Sequence, residues 1–352
     1  MKKEVFYDLL KSIPKAELHV HEEAVIGRET VKKVYERNFG EQMTDEEFKS
    51  LFDYNDLGGF LTSFIKIQSY FKNVQDLEIQ FNDFEDYLND NNIVYCETFI
   101  SPTSHLKKGW QFNDIINTIS KCIKRISSNS HRTIRCLIDV SRSFGMENAM
   151  NNLNHVIAAR NPIIIGIGLG GDESKGPAKD YAPVFDKAVE HGLHTVTHAG
   201  ESVESWSMKD SINLCHAERL GHGIQAAKDE EFVKELAEKQ IPLEVCPTSN
   251  IFILQEFKGD MKNHPVKKLY DAGCNITINT DDPTFFKCSL IDEYWNIYSQ
   301  LGFTLEDIKK IIKNGFTNSF MAKKMKTQWC NKVDEAWFKW FQAHPEEKEI
   351  ES

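Results

Sequence analysis

Short apolar, β-branched runs recur along the chain at 16–21, 93–99, 133–140, 163–169, 194–199, 219–223, 242–247 and 275–282. Their apolar residues are nearly continuous, which is the pattern of strands buried on both faces of a parallel sheet. Between them the spacing is helical. DIINTISKCIKRI, EFVKELAEKQ and TLEDIKKIIKNGF each gather apolar residues on one helix face. Thr44 and Glu47 are spaced as a capping box opening a further helix. Alternation of strand and helix predicts right-handed βαβ units, and eight strands predict a (β/α)8 TIM-type barrel rather than an open sheet.

The stretch 28–90 is too long for one loop, and its pattern predicts about three helices inserted after the first strand, covering the barrel mouth. Further helices are expected at the C-terminus. The N-terminal MKKEVFYDLL reads as a short amphipathic helix, because Glu4 and Asp8 interrupt any signal-peptide apolar region. No repeat or linker divides the chain, so residues 1–352 are expected to form one domain, with a frayed acidic tail from His344.

Charge and cysteine content narrow the partners. The net charge of 42 − 53 = −11 argues against nucleic acid or an anionic membrane surface as partner. No apolar run approaches the ~20 residues of a membrane helix. The eight cysteines are scattered without a CxxC pair. They read as small buried hydrophobes in a reducing, cytoplasmic compartment.

Chemistry concentrates where the predicted strands end. The first strand ends His19-Val20-His21, and residues at i and i+2 point the same way. The fifth ends in THAGE with His198 and Glu201, the sixth in His222 between two glycines, the eighth in Asp281 and Asp282. In a barrel these ends meet at one mouth. His19, His21, His198 and Asp281 form an N3O donor set suited to one Zn²⁺ with a position left for water. The metal would lower the pKa of that water towards ~7. His222 is placed to hold the water, and Glu201 is the candidate general acid/base. The fourth strand runs into GIGLGGDE, whose glycines let backbone N–H groups approach a ligand. It offers no lysine to bridge a second metal. Ser249 lacks the nucleophile-elbow glycines, and Cys246-Pro247 does not make the zinc site of the cysteine-rich deaminases.

PKAELHVH, GLGGDE, THAGE, ERLGHG, EVCPTSN and NTDDP stand in the order and spacing of the adenosine deaminase family of the amidohydrolase superfamily, which the chain resembles from Pro14 to about Phe320. The resemblance implies a zinc barrel that hydrolyses the 6-amino group of a purine. It implies zinc, one per chain, on His19, His21, His198 and Asp281, with His21 also bordering the substrate. It implies that Glu201 protonates purine N1, that His222 and Asp281 orient the hydroxide attacking C6, that Asp282 pairs with N7, and that the Gly171 N–H meets N3. It implies an apolar helix, carrying Leu57, Phe60, Leu61 and Phe64, that closes over the substrate.

Two departures bear on the substrate. Glu22, Glu23 and Ala24 replace the Leu-Asp-Gly usual after the second histidine in adenosine-specific members, and Glu23 takes the place of the ribose-contacting aspartate. Phe99 replaces a common arginine. Glu23 resembles the adenine and aminodeoxyfutalosine branches and Phe99 the adenine-type members, whereas GLGGDE and NTDDPTFFKCSLIDEY look more like the adenosine branch. The expected activity is deamination of adenosine, and 2′-deoxyadenosine, to inosine and ammonia in purine salvage. The alternative is adenine or a modified adenosine. A non-catalytic purine-binding relative would not need Glu201, His222 and a full ligand set.

Overall fold

The computed structural model describes residues 1–54 and 56–348. Eight parallel strands follow one another in sheet order: β1 (Lys15–His21), β2 (Ile93–Ile100), β3 (Thr133–Asp139), β4 (Ile164–Leu169), β5 (His194–Ala199), β6 (Arg219–His222), β7 (Leu243–Val245) and β8 (Ile276–Ile278). The helix α1 (Lys3–Ser12) precedes the first strand, as its amphipathic pattern predicts. Between β1 and β2 lie α2 (Arg28–Phe39), α3 (Asp45–Ser50), α4 (Leu57–Ser69) and α5 (Asp76–Asp90). This is four helices, against an expectation of about three. The difference is α5, which packs on β2 as the outer helix of the first crossover. Thr44 caps α3 through the reciprocal bonds with Glu47 that the sequence predicts.

The remaining helices follow the βα alternation: α6 (Thr103–Leu106), α7 (Phe112–Ser130), α8 (Gly145–Ala159), α9 (Ala182–Glu190), α10 (Ser205–Leu214), α11 (Glu230–Lys239), α12 (Pro247–Ile253), α13 (Val266–Asp271) and α14 (Pro283–Phe286). The helices α15 (Leu290–Leu301), α16 (Leu305–Thr317) and α17 (Lys323–Ala343) complete the C-terminal part. Pro345–Lys348 forms a short 3₁₀ turn where a frayed tail was expected, and residues 349–352 of that tail lie outside the described residues. All eight cysteines are free thiols, six of them buried. No helix among the described residues is long and apolar enough to cross a membrane.

The barrel interior is unusually polar on one side. Along β1 a register shift between Glu17 and Val20 breaks the alternation: His19 and His21 share one face, while Glu17 turns to the outer side, where it accepts from Tyr87 of α5. On the outer side α16 lies against β1, where a Cβ at Gly315 would come 3.0 Å from the Ala16 carbonyl oxygen. His19 and His21 point into the barrel, where Phe99 packs against both. Phe99, Leu137 and Val196 form a small apolar layer of their own beside them.

The last two strands are shorter than the sequence suggests. Pro247 opens α12 at its first turn, where proline is tolerated, and so ends β7 early. Past β8 the side chain of Asn279 replaces strand pairing at the seam. Its Oδ1 accepts from the N–H groups of both Leu18 (2.9 Å) and His19 (3.1 Å). The backbone then resumes pairing: His21 N–H donates to the Asp281 carbonyl, and Asp281 N–H to that of His19. Asn279→Ala should leave two buried N–H groups unpaired at about 1–3 kcal/mol each. Chemical denaturation should show a loss of roughly 2–5 kcal/mol, and Asn279→Asp, which keeps the acceptor, a smaller one. Equal losses for the two variants would contradict this account of the seam.

Candidate active site

The residues singled out at the strand ends do converge. The donor atoms of His19, His198, His222 and Asp281 lie within 4.8 Å of one another, as do those of His21, Asp281 and Asp282. His21 Nε2 is 3.2 Å from His198 Nε2. Asp281 Oδ1 is 3.4 Å from His19 Nε2 and 3.3 Å from His21 Nε2. Two donors, each ~2.0–2.2 Å from one ion in a tetrahedral set, lie roughly 3.3–3.6 Å apart. The observed separations match the edges of such a set. His19 Nε2 is buried and has no hydrogen-bond partner among the described residues. Burial works against a proton on His19, yet Asp281 and Glu244 lift its pKa to about 9. Burial and the neighbouring imidazoles hold His198 well below the usual histidine range, so its ring is neutral. The cluster attracts positive charge and offers neutral nitrogen donors, so the residues present fit a single divalent ion.

The tautomer of His19 is set from behind. Its Nδ1 lies 2.8 Å from Glu244 Oε2. Burial would raise the Glu244 pKa, but the Arg219 charge and His19 itself bring it below the ordinary value. An ionised Glu244 accepts a hydrogen bond from Nδ1–H, which keeps the proton there and leaves the Nε2 lone pair facing the site. Arg219, fully buried, donates to both Glu244 and Glu97. Gly221 is required by the crowding here, since a Cβ would fall 2.7 Å from His19 Cε1. Both His222 (φ 64°) and Asp281 (φ 65°) adopt the left-handed region, a strained backbone for residues other than glycine.

Glu201 is held by a residue that sequence reasoning passed over. Glu173, at the end of GIGLGGDE, is buried and accepts backbone N–H groups from Gly200 (2.6 Å), Glu201 (3.1 Å), Ser202 and Val203 (3.2 Å each). The signal was an acid closing a glycine run beside the strand that carries Glu201. Burial, then Asp281 and Glu173, push the Glu201 pKa up to about 8. Burial and Asp281 likewise raise Asp282 well above the carboxylate range. Burial lowers the His222 pKa to about 3, so its ring is neutral.

The cavity over this cluster has three walls. Phe60, Leu61, Phe64 and Ile65 of α4 form an apolar cover, as expected for the first three; the side chain of Leu57 lies outside the described residues. His21, His198, Glu201, His222, Asp281 and Asp282 form the floor. Ser101, Ser104, Asp139, Ser141, Ser143 and Gly171 form a polar wall. Gly171 sits at φ 95°, where a Cβ would strike Ser143 Oγ at 2.7 Å. Asp139 was not foreseen. Its Oδ1 accepts from Ser141 N–H (2.9 Å) and Gly170 N–H (2.8 Å), and its Oδ2 from Ser101 Oγ (3.2 Å).

Glu23 is not among the residues that line the cavity. It is buried, and its Oε1 accepts from Ser101 N–H at 2.6 Å. Phe99 packs its ring 5.1 Å from His21 in a stacked arrangement and 4.9 Å from His19. It serves as a hydrophobic backing to the imidazoles.

The chain is similar to known proteins over nearly its whole length. The adenosine deaminase family profile matches residues 14–336. An adenine deaminase of Psychrobacter cryohalolentis is 32% identical over 335 residues, covering 94% of this chain and 99% of the relative. An adenosine deaminase of Clostridium acetobutylicum is 31% identical, covering 92% and 98%. The crystal structure of an adenine deaminase from Arthrobacter aurescens superposes with a TM-score of 0.86 at 25% identity, covering 93% of this chain and 99% of that one. Other relatives named adenine deaminase match over similar lengths.

Glu244→Gln replaces the ionised partner of His19 with a neutral amide. Competition with a chromogenic chelator should show divalent metal binding weakened about 10–100-fold, with the far-UV spectrum unchanged. Unaltered affinity would remove Glu244 from the metal site.

Proposed function

The chain belongs to the adenosine deaminase family, and from that premise we propose that it hydrolyses the 6-amino group of free adenine, giving hypoxanthine and ammonia in the cytoplasm. The observation that carries the choice of a free base is the polar wall. Glu23, which stands where sugar contact is expected, gives its Oε1 to Ser101 N–H and is not among the residues that line the cavity. Asp139 faces it instead, beside Gly170 and Gly171.

Zinc held by His19, His21, His198 and Asp281 would supply a hydroxide at neutral pH. The chain's own residues do the rest. Glu201, kept protonated by burial, donates to N1 and makes C6 electrophilic. His222 faces the space between Glu201 and Asp281 and orients the attacking oxygen with Asp281. Asp282, also kept protonated, donates to N7. The Gly171 N–H donates to N3. N9 adjoins N3 in the purine, so a base bound this way turns its N9–H towards Asp139. The α4 phenyl groups cover the ring and exclude water.

Adenosine is the second reading. GLGGDE, NTDDPTFFKCSLIDEY and the named adenosine deaminase relative favour it. Ammonia release measured on adenine, adenosine, 2′-deoxyadenosine and aminodeoxyfutalosine decides between them. The expected result is the highest kcat/KM for adenine, and a higher value for adenosine would overturn the choice. Glu201→Gln should lower kcat by at least ~10²-fold while purine binding persists. Near wild-type kcat would reject Glu201 as the acid. Asp139→Asn must keep its oxygen towards Ser141 and Gly170, so its NH₂ replaces an acceptor in the cavity. It should cost adenine about tenfold or more in kcat/KM and spare 9-methyladenine, which has no N9–H. Equal effects on both substrates would mean that Asp139 does not read N9.

A further inference from the structure

Two buried side chains behind the pocket, Asn250 and His264, have no part in the chemistry described above. They form a hydrogen-bonded line with one end fixed by the backbone. Val266 N–H, at the start of α13, donates to His264 Nδ1 at 3.2 Å. An amide nitrogen can only donate, so His264 Nδ1 accepts and carries no proton. The imidazole proton then sits on Nε2, which lies 3.2 Å from Asn250 Oδ1 and donates to it. With its oxygen so engaged, Asn250 turns its Nδ2 to His222, and Nδ2 lies 3.0 Å from His222 Nδ1. Nδ2 is again a donor, so His222 Nδ1 accepts. The His222 proton is left on Nε2, which faces Glu201 Oε1 at 3.8 Å and Asp281 Oδ2 at 4.0 Å. His222, Asn250 and His264 are each at most 4% exposed, so water is poorly placed to interrupt the line.

We propose that Asn250 and His264 are positioning residues that fix His222 as its Nε2–H tautomer, so that it presents a hydrogen-bond donor to the reaction space. The inference rests on the deaminase reading of the pocket for its consequence, but not for the tautomer itself. In this form His222 cannot take a proton at Nε2 from the attacking oxygen. It can only donate to that oxygen and stabilise the negative charge it carries. The direction of every bond follows from one backbone amide, so a change of polarity anywhere in the line should reverse the tautomer without any change of shape.

Asn250→Asp makes that change. Both aspartate oxygens accept, so His264 keeps its bond while His222 Nδ1 acquires a proton. The experiment is long-range ¹H–¹⁵N correlation on the histidine-labelled, metal-loaded full chain, with kcat and KM for adenine measured in parallel. In the wild type, His222 Nδ1 should show the shift of an unprotonated nitrogen and Nε2 that of a protonated one. In Asn250→Asp, Nδ1 should become protonated, and kcat should fall by roughly tenfold or more with KM little changed and metal content equal. A pair at position 264 guards against a folding defect. His264→Gln can still accept from Val266 and donate to Asn250, and should keep the wild-type tautomer. His264→Glu accepts on both sides, turns the Asn250 amide over and should give the Asn250→Asp spectrum. A protonated Nδ1 on wild-type His222 overturns the proposal, as does an identical His222 spectrum in His264→Gln and His264→Glu. Wild-type protein that deaminates no purine would overturn the functional reading, while the spectra still decide the tautomer.

Discussion

The Arg219 guanidinium, buried at the heart of the barrel, is the interaction on which the site depends. Isolated there it would be costly, because its charge has lost its water. Glu244 binds it from the adjacent strand β7 and Glu97 from β2, across the barrel interior. Glu97 also accepts from Tyr95 and from the backbone of Phe320, which brings the C-terminal segment under the barrel. Glu244 passes the constraint upward to His19. Three strands and the C-terminal segment are thereby tied to the orientation of one imidazole. The arrangement is poor evidence for extra stability, since buried ion pairs often only break even. Its effect is geometric: His19 has one tautomer and one direction.

The same device recurs around the mouth. The strand ends leave the sheet ladder, so their backbone N–H groups need other acceptors. Glu173 serves the loop bearing Glu201, Asp139 serves the turns after β3 and β4, and Asn279 serves the β8–β1 seam. Each is a buried polar side chain that stands in for a missing strand neighbour. Ser249 Oγ donates to Asp281 Oδ2 at 2.6 Å, which steadies a residue whose backbone is already in the left-handed region. Such positions tolerate strain only because the surroundings over-determine them.

The eight strands and the convergence of His19, His21, His198, His222 and Asp281 were legible because both rest on local pattern. Strand runs show as continuous apolar stretches, and the reactive residues end those runs. What escaped depended on partners far away in sequence. Glu244 meets His19 across 225 positions, and Asn279 meets Leu18 across 261. A lone buried glutamate or asparagine in an apolar run has no periodicity to mark it. β8 read as too long because Asn279, whose N–H still donates to the Val245 carbonyl, meets β1 through its side chain and not through strand pairing. The helix count after β1 fell short because nothing in the 28–90 stretch distinguishes a covering helix from the crossover helix α5. Glu23 stands out in the sequence as a candidate sugar contact, but its Oε1 accepts from Ser101 N–H, and it is Asp139 that lines the cavity.

A crystal structure of metal-loaded protein with bound hypoxanthine tests the central claim most directly. The account predicts one ion bounded by His19, His21, His198 and Asp281, with the base under α4, its N1 edge at Glu201 and its N9 at Asp139. Two ions in the mouth, or a base bound with N9 turned away from Asp139, would contradict it.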